Sequence, residues 1–183
     1  MRKLTHLEIT EKRVTLETLN SAKKMPVYVM LDSIRSGYNV GSIFRTSDAA
    51  MISKLLLCGY TPTPPNKEVL KTSLGATESI DWEYVTDPVE KIRHLKDLGF
   101  TIAALEISEN SIPYYSIEPD FFPICLIVGN EITGVKQELL DLCDYSFEIP
   151  QYGIKHSLNA AVAYGISIFE LRKIFNSADN LNL

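Results

Sequence analysis

Hydrophobic positions along the chain fall into short apolar runs, many of them β-branched, separated by stretches of helical spacing. Val27 to Ile34 (VYVMLDSI) ends in Arg35-Ser36-Gly37, the profile of a buried strand followed by a turn. Beyond that turn Val40, Ile43, Phe44, Ala50 and Met51 recur at near-helical spacing, which predicts a helix from about Asn39 to Met51. Lys54 to Cys58 reads as the next strand, the cluster Pro62, Pro64, Pro65 as loop, and Lys67 to Leu74 as a short helix closed by Gly75. Trp82 to Val85 is a further strand. Asp87 then supplies an N-cap before Pro88 at the first helical position, and Val89, Ile92, Leu95 and Leu98 mark one helix face up to Gly99. Strands at Phe100 to Leu105, Pro123 to Val128 and Tyr145 to Ile149 alternate with helices at Val135 to Cys143 and Ser157 to Phe175.

Alternating strands and helices with near-continuous apolar strands predict an α/β fold, a mostly parallel sheet with helices on both faces. The 183 residues suit one domain of about 100 to 200 residues. The expected division is a basic N-terminal arm or helix over residues 1–25, a main domain over 26–175 and a frayed polar tail over 176–183. No internal repeat, heptad seam or low-complexity linker interrupts it.

Composition excludes several classes. At 45% hydrophobic and 22% charged residues the chain is an ordinary globular one, neither disordered nor fibrous. Its longest apolar runs fall far short of the roughly 20 residues that cross a bilayer. The N-terminus lacks the apolar stretch of a secretory signal, so a cytoplasmic location is expected. Cys58, Cys125 and Cys143 are odd in number and widely spaced, and read as reduced core thiols. His6, His94 and His156 are too scattered for a metal set, and no metal is expected. Walker, Rossmann, HExxH and GxSxG patterns are all missing.

The net charge of −5 runs against the basic balance typical of a nucleic-acid partner. The distribution is uneven, however: Arg2, Lys3, Lys12, Arg13, Lys23 and Lys24 face only Glu8, Glu11 and Glu17 within the first 25 residues. A phosphate-binding surface is therefore expected to involve this arm, unless it is merely a solvated lead-in helix.

Ligands of open α/β sheets bind beyond the carboxyl ends of strands, and three such ends are unusual. In Asn39-Val40-Gly41-Ser42-Ile43-Phe44-Arg45, an amide, a glycine and an arginine sit at a helix start. Asn39 and Arg45 would diverge by roughly 120° on a helix, so they converge only if Asn39 precedes it; a plain N-cap and a solvated cation are the simpler roles. In Val128-Gly129-Asn130-Glu131-Ile132-Thr133-Gly134, two glycines bracket a carboxylate, which would let the backbone approach a ligand or would simply make a tight turn. In the third, Ile149-Pro150-Gln151-Tyr152-Gly153 leads to Ser157-Leu158-Asn159, with Ser157 a ready N-cap. Small residues at Ala160, Ala161, Ala163 and Gly165 suggest a tight helix interface.

Taken in order, NVGSIFRTSDAA, LIVGNEITGV and IPQYGIKHSLNAAVAYGI resemble the three motifs of the SpoU, or TrmH, family of RNA 2'-O-methyltransferases in the SPOUT superfamily. The resemblance spans Val27 to Phe175 and makes the main domain over 26–175 a SPOUT methyltransferase domain. It implies a SPOUT-type fold with a C-terminal trefoil knot, S-adenosylmethionine as cofactor, tRNA or rRNA as substrate, and a homodimer with active sites near the subunit interface. By position, the catalytic residues it implies are Asn39, Arg45, Glu131, Ser157 and Asn159. Cofactor contacts would come from Leu105, Glu106, Gly129, Ile149 and Leu158. The third motif departs from the common pattern at Gln151, Ala160 and Ala161.

Because a guanidinium is effectively always protonated, Arg45 is expected to act electrostatically rather than as a base. In that scheme Arg45 binds a phosphate and stabilises the developing alkoxide, Asn39 orients it or the ribose, and Glu131 fixes the guanidinium. The alternatives are a non-catalytic RNA-binding protein that keeps the knotted fold, or a methyltransferase with a non-RNA acceptor.

Overall fold

The computed structural model describes residues 1–11, 13–15 and 17–181; Lys12 of the basic arm and the terminal Asn182 and Leu183 lie outside them. Seven strands form one sheet: β1 (Met25–Asp32), β2 (Ile52–Cys58), β3 (Trp82–Val85), β4 (Thr101–Leu105), β5 (Ile112–Pro113), β6 (Ile124–Val128) and β7 (Tyr145–Glu148). Their order is β3-β2-β1-β6-β4-β7-β5, and every neighbouring pair is parallel. The helices are α1 (His6–Thr10), α2 (Gly37–Ala50), α3 (Lys67–Ser73), α4 (Ala76–Ser79), α5 (Pro88–Asp97), α6 (Gln137–Leu140) and α7 (Ala160–Leu181).

The uninterrupted apolar runs are explained by burial on both sides. Along β1, Val27, Val29 and Leu31 enter one core together with Val40, Ile43 and Phe44 of α2 and Tyr164, Ile168 and Leu171 of α7. Met30 points to the opposite face, where Ile92 and Leu95 of α5 and Leu139 of α6 pack. Helices thus cover both faces of a parallel sheet, as the strand patterns require. Ser47 and Tyr164, both buried, share a hydroxyl–hydroxyl hydrogen bond of 2.7 Å that ties α2 to α7. The small-residue stretch of α7 does not make this contact unusually close, since a Cβ at Gly165 would meet only Thr46 Cγ2 at 4.0 Å.

Several boundaries differ from the pattern-based expectation, each for a local reason. β1 stops at Asp32 rather than Ile34 because Ser33 turns into the left-handed region at φ 57°, and its amide donates to the Cys58 carbonyl. Gly59, also left-handed, permits this: a Cβ there would lie 2.1 Å from Ser33 Oγ. Helix α3 is ended by left-handed Leu74, one residue before Gly75. The helix expected over Val135 to Cys143 shrinks to α6, because Lys136 is extended at ψ 140° and the amides of Leu142 and Cys143 bond only three residues back, to Leu139 and Leu140. Helix α7 starts at Ala160 rather than Ser157 and runs past Asn176 to Leu181.

In the N-terminal arm, α1 carries a Thr5/Glu8 capping box and buries no residue. Arg2 pairs with Glu8, and Lys24 pairs with Asp81 at 2.8 Å, so two of the arm's cations are already matched by carboxylates. All three cysteines are free thiols; burial, with Asp32 nearby, pushes Cys58 up to about 12. Among the described residues no helix is long and apolar enough to cross a membrane, and no group of acidic, His or Cys side chains could hold a metal ion.

Candidate active site

The carboxyl ends of β4, β6 and β7 open into one cavity of about 220 Å³. Leu105, Glu106, Gly129, Ile149 and Leu158, which the motifs mark as cofactor contacts, all line it, as do Glu131 and Ser157. Apolar side chains of Ile107, Ile132 and Phe147 complete its walls. Three carboxylates, Glu106, Glu131 and Glu148, border the space, and its lining contains no lysine or arginine.

Asn39, Glu131 and Asn159 form a continuous hydrogen-bonded chain. Asn159 Nδ2 donates to Asn39 Oδ1 at 3.1 Å, and Asn39 Nδ2 donates to Glu131 Oε1 at 2.8 Å. The same Glu131 carboxylate accepts the amides of Arg35 at 2.8 Å and Ser36 at 3.1 Å. A carboxylate is thereby held at the positive end of α2. Burial works against the charged form of Glu131, but the Arg35 amide, its own amide, the Asn39 amide and the Ser36 amide together outweigh it and hold the group below the usual carboxylate range. Such a group is poorly suited to accept a proton at neutral pH.

The structure assigns the caps to other residues than the N-cap readings of Asn39 and Ser157. Ser36 is the N-cap of α2, its hydroxyl accepting from the Asn39 amide at 3.3 Å, so Asn39 lies in the first turn and not before the helix. Asn159, not Ser157, caps α7: its Oδ1 accepts from the amides of Ala161 at 3.0 Å and Val162 at 3.3 Å. Ser157 is exposed on the cavity wall and makes no hydrogen bond among the described residues.

Arg45 is the sequence-marked residue that the structure separates from the others. With Asn39 inside α2, the two side chains leave the helix on different faces, and Arg45 does not line the cavity. Glu131 is bound to the α2 N-terminus and Asn39, so the expected Glu131–Arg45 contact does not form in this chain. Arg45 is exposed, with no hydrogen bond or ion pair among the described residues, in a second cleft beside Lys71 and Phe169.

The loop from Gly129 to Lys136 is braced from several sides. Glu106 Oε2 accepts from the Val135 amide at 3.0 Å, while fully buried Asp32 accepts from the Lys136 amide at 3.1 Å and faces Lys136 Nζ at 3.5 Å. Asn130 Nδ2 donates to Ser33 O at 2.7 Å and Tyr60 Oη at 2.6 Å, and its Oδ1 accepts from the amides of Ile132 and Thr133. Gly129 is required by the loop itself: a Cβ there would sit 2.2 Å from Val135 N and 2.3 Å from Gly134 C. Sequence reasoning assigned no role to Asp32, Asn130 or Tyr60. The one sequence signal was Asp32 itself, a carboxylate inside an otherwise apolar strand. His156, to which the motifs assign no role, lines the cavity beside Ser157.

The SpoU rRNA Methylase family profile matches residues 26–169. A protein of Staphylococcus haemolyticus assigned to the TrmH family of tRNA/rRNA methyltransferases is 29% identical over 166 residues, covering 90% of this chain. The solved A. aeolicus TrmH/SpoU tRNA modifying enzyme superposes with a TM-score of 0.80 at 29% identity, covering 93% of this chain and 86% of that one. The AdoMet-bound rRNA methyltransferase from Sinorhizobium meliloti gives a TM-score of 0.77 at 32% identity over 85% of this chain. This chain spans 66% of the Staphylococcus relative's length and 59% of the Sinorhizobium protein's.

Proposed function

The chain belongs to the SpoU rRNA Methylase family, and on that premise we propose that it transfers a methyl group from S-adenosylmethionine to a ribose 2'-hydroxyl of tRNA or rRNA. The observation that carries this reading is the single cavity at three strand ends, which gathers all five motif-marked cofactor residues together with Glu131 and Ser157.

The lining fits the cofactor. Leu105, Ile107, Ile149 and Leu158 offer apolar surface for an adenine ring, and a carboxylate-bordered space without cations suits a positively charged sulfonium. When bound, S-adenosylmethionine supplies an electrophilic methyl group. The braced Gly129–Lys136 loop holds one wall of the cavity in a fixed shape, the preorganisation on which in-line attack depends. The Asn159–Asn39–Glu131 chain locks the Asn39 amide between the helix starts of α2 and α7, and Ser157 keeps a free hydroxyl for the ribose or the cofactor's polar end. Arg45 binds an RNA phosphate and stabilises the 2'-oxygen as its proton passes to solvent water and the oxygen takes the methyl group.

Arg45 lies outside the cavity of its own chain, which supports a homodimer with active sites at the interface, where a second copy brings guanidinium and cavity together. Exposed Val162 on α7 and Tyr152 and Ile154 beside the cavity are apolar surface available for such a contact. Strand β6, inserted between β1 and β4, supports the knotted topology of the family. An RNA substrate also accords with a cytoplasmic location.

The test is single-turnover methylation of RNA by wild type, Arg45→Lys and Arg45→Ala, with cofactor binding measured by calorimetry in parallel. The expected result is cofactor binding by all three and a loss of transfer of 100-fold or more, on the order of removing an oxyanion-stabilising donor, in Arg45→Ala. Full transfer by the alanine variant, or no cofactor binding by the wild type, would contradict the reading.

A further inference from the structure

The second cleft shares no lining residue with the cofactor cavity. One wall is a single face of α2, with Ser42, Arg45, Thr46 and Ala49 at helical spacing; Lys71 and Thr72 of α3 form the other, and Phe169 of α7 stands half-exposed at its edge. The walls cannot drift apart easily, because α2 and α3 touch backbone to backbone. A Cβ at Gly41 would lie 2.3 Å from Val69 O and 2.1 Å from Thr72 Oγ1.

The polar inventory points to an anion. The chain has 23 acidic residues against 18 lysines and arginines, yet the cleft lining holds two cations and no carboxylate. Neither Arg45 nor Lys71 has an ion-pair partner among the described residues; Lys71 Nζ instead lies 5.7 Å over the ring of Tyr38, a contact that steadies it without neutralising it. Asp48, close by on α2, is engaged by Ser79. The hydroxyls of Ser42 and Thr72 already donate to the Tyr38 carbonyl, at 2.8 and 3.0 Å, whereas Thr46 has no such partner. The donors left for a ligand are Arg45, Thr46 and Lys71.

We propose that this cleft is a phosphodiester-binding subsite in which Lys71 and Thr46, together with Arg45, hold the RNA backbone. The inference rests on the RNA methyltransferase reading and extends it to Lys71, which lies outside the three motifs. RNA is favoured over a free anion because half-exposed Tyr38 and Phe169 flank the cations and offer stacking surface for a nucleoside. Lys71 acts on substrate binding, and it does so outside the cofactor cavity of its own chain, beside the Arg45 that the proposed dimer carries to the other copy's cavity. The subsite also gives an acidic protein a local cationic surface, independent of the partly neutralised N-terminal arm.

The test measures binding of a single-stranded oligoribonucleotide against salt concentration for wild type, Lys71→Gln and Lys67→Gln, the last on the same helix but outside the cleft. Each phosphate contact contributes a slope of about 0.7 in log K against log salt for single strands. Lys71→Gln is expected to lower the slope by about that amount and to weaken binding several-fold, with Lys67→Gln close to wild type and cofactor binding retained in both. Inorganic phosphate serves as the competing arm, and displacing the RNA only at concentrations far above those of the oligonucleotide is the expected result. Equal slopes for Lys71→Gln and wild type, equal losses in both lysine variants, or a changed oligomeric state of Lys71→Gln by light scattering would overturn the subsite. RNA binding by the wild type with an unaltered Lys71→Gln slope rejects the subsite alone; absence of RNA binding by the wild type rejects the methyltransferase reading as well.

Discussion

Asn39 Nδ2 lies 2.8 Å from Glu131 Oε1 across 92 residues of sequence, and this bond joins the helix start of α2 to the loop after β6. With the Arg35 and Ser36 amides also on Glu131, the carboxylate organises an entire helix N-terminus. Glu131→Gln is expected to destabilise the protein by about 1 kcal/mol, the value of charge-assisted hydrogen bonds discounted for exposure. Because the folded-state pKa of Glu131 is lowered, its contribution is fully present above the unfolded value of about 4.3 and is lost as pH falls through the lower folded value. Thermal melts of wild type and Glu131→Gln should therefore differ at pH 6 and converge in the acid range below about pH 4. A gap that widens on acidification would contradict this sign.

Asn159→Ala removes the α7 cap and the bond to Asn39, and should cost about 1 kcal/mol in urea denaturation. Ser157→Ala, on an exposed residue without a hydrogen bond, should stay within about 0.5 kcal/mol of wild type. Loss of methyl transfer in the serine variant then reports on the cavity and not on the helix.

The contrast between those two residues shows what the sequence made legible. Motif order and spacing brought Asn39, Glu131 and Asn159 into view, and the cavity-lining set Leu105, Glu106, Gly129, Ile149 and Leu158 was implied by the family resemblance. Which hydroxyl or amide caps a helix was not legible, because Ser36 competes with Asn39, and Ser157 with Asn159, on equal chemical terms; only the backbone path decides. The strand order and the bracing of the Gly129 loop by Asp32 and Glu106 were also invisible. They depend on pairings across 104 and 29 residues that no local pattern encodes.

Gly129→Ala would drive a Cβ into the Gly134–Val135 backbone, where nothing flexible can yield. A cost of about 2 kcal/mol is expected, as for overpacking elsewhere, together with weakened cofactor binding. Gly153→Ala, with no atom within 4 Å of the added Cβ, should be close to neutral. Equal stability of the two variants would refute the close-approach account.

Asp32→Asn should reduce stability by about 2 kcal/mol by weakening the buried pairing to Lys136, below the usual cost of breaking a buried pair because Lys136 can turn to solvent. The same change should raise the dissociation constant for S-adenosylmethionine, since the loop that walls the cavity loses one brace. Calorimetric titration checks it; unchanged affinity would show that the remaining braces suffice.

The central claim is tested most directly by incubating the protein with methyl-labelled S-adenosylmethionine and RNA, followed by complete alkaline hydrolysis. A 2'-O-methyl group removes the nucleophile that alkali uses to cut the adjacent phosphodiester, so the account predicts label in alkali-resistant dinucleotides. Label in mononucleotides would mean base methylation, and no transfer to RNA would mean a different activity; either result contradicts the account.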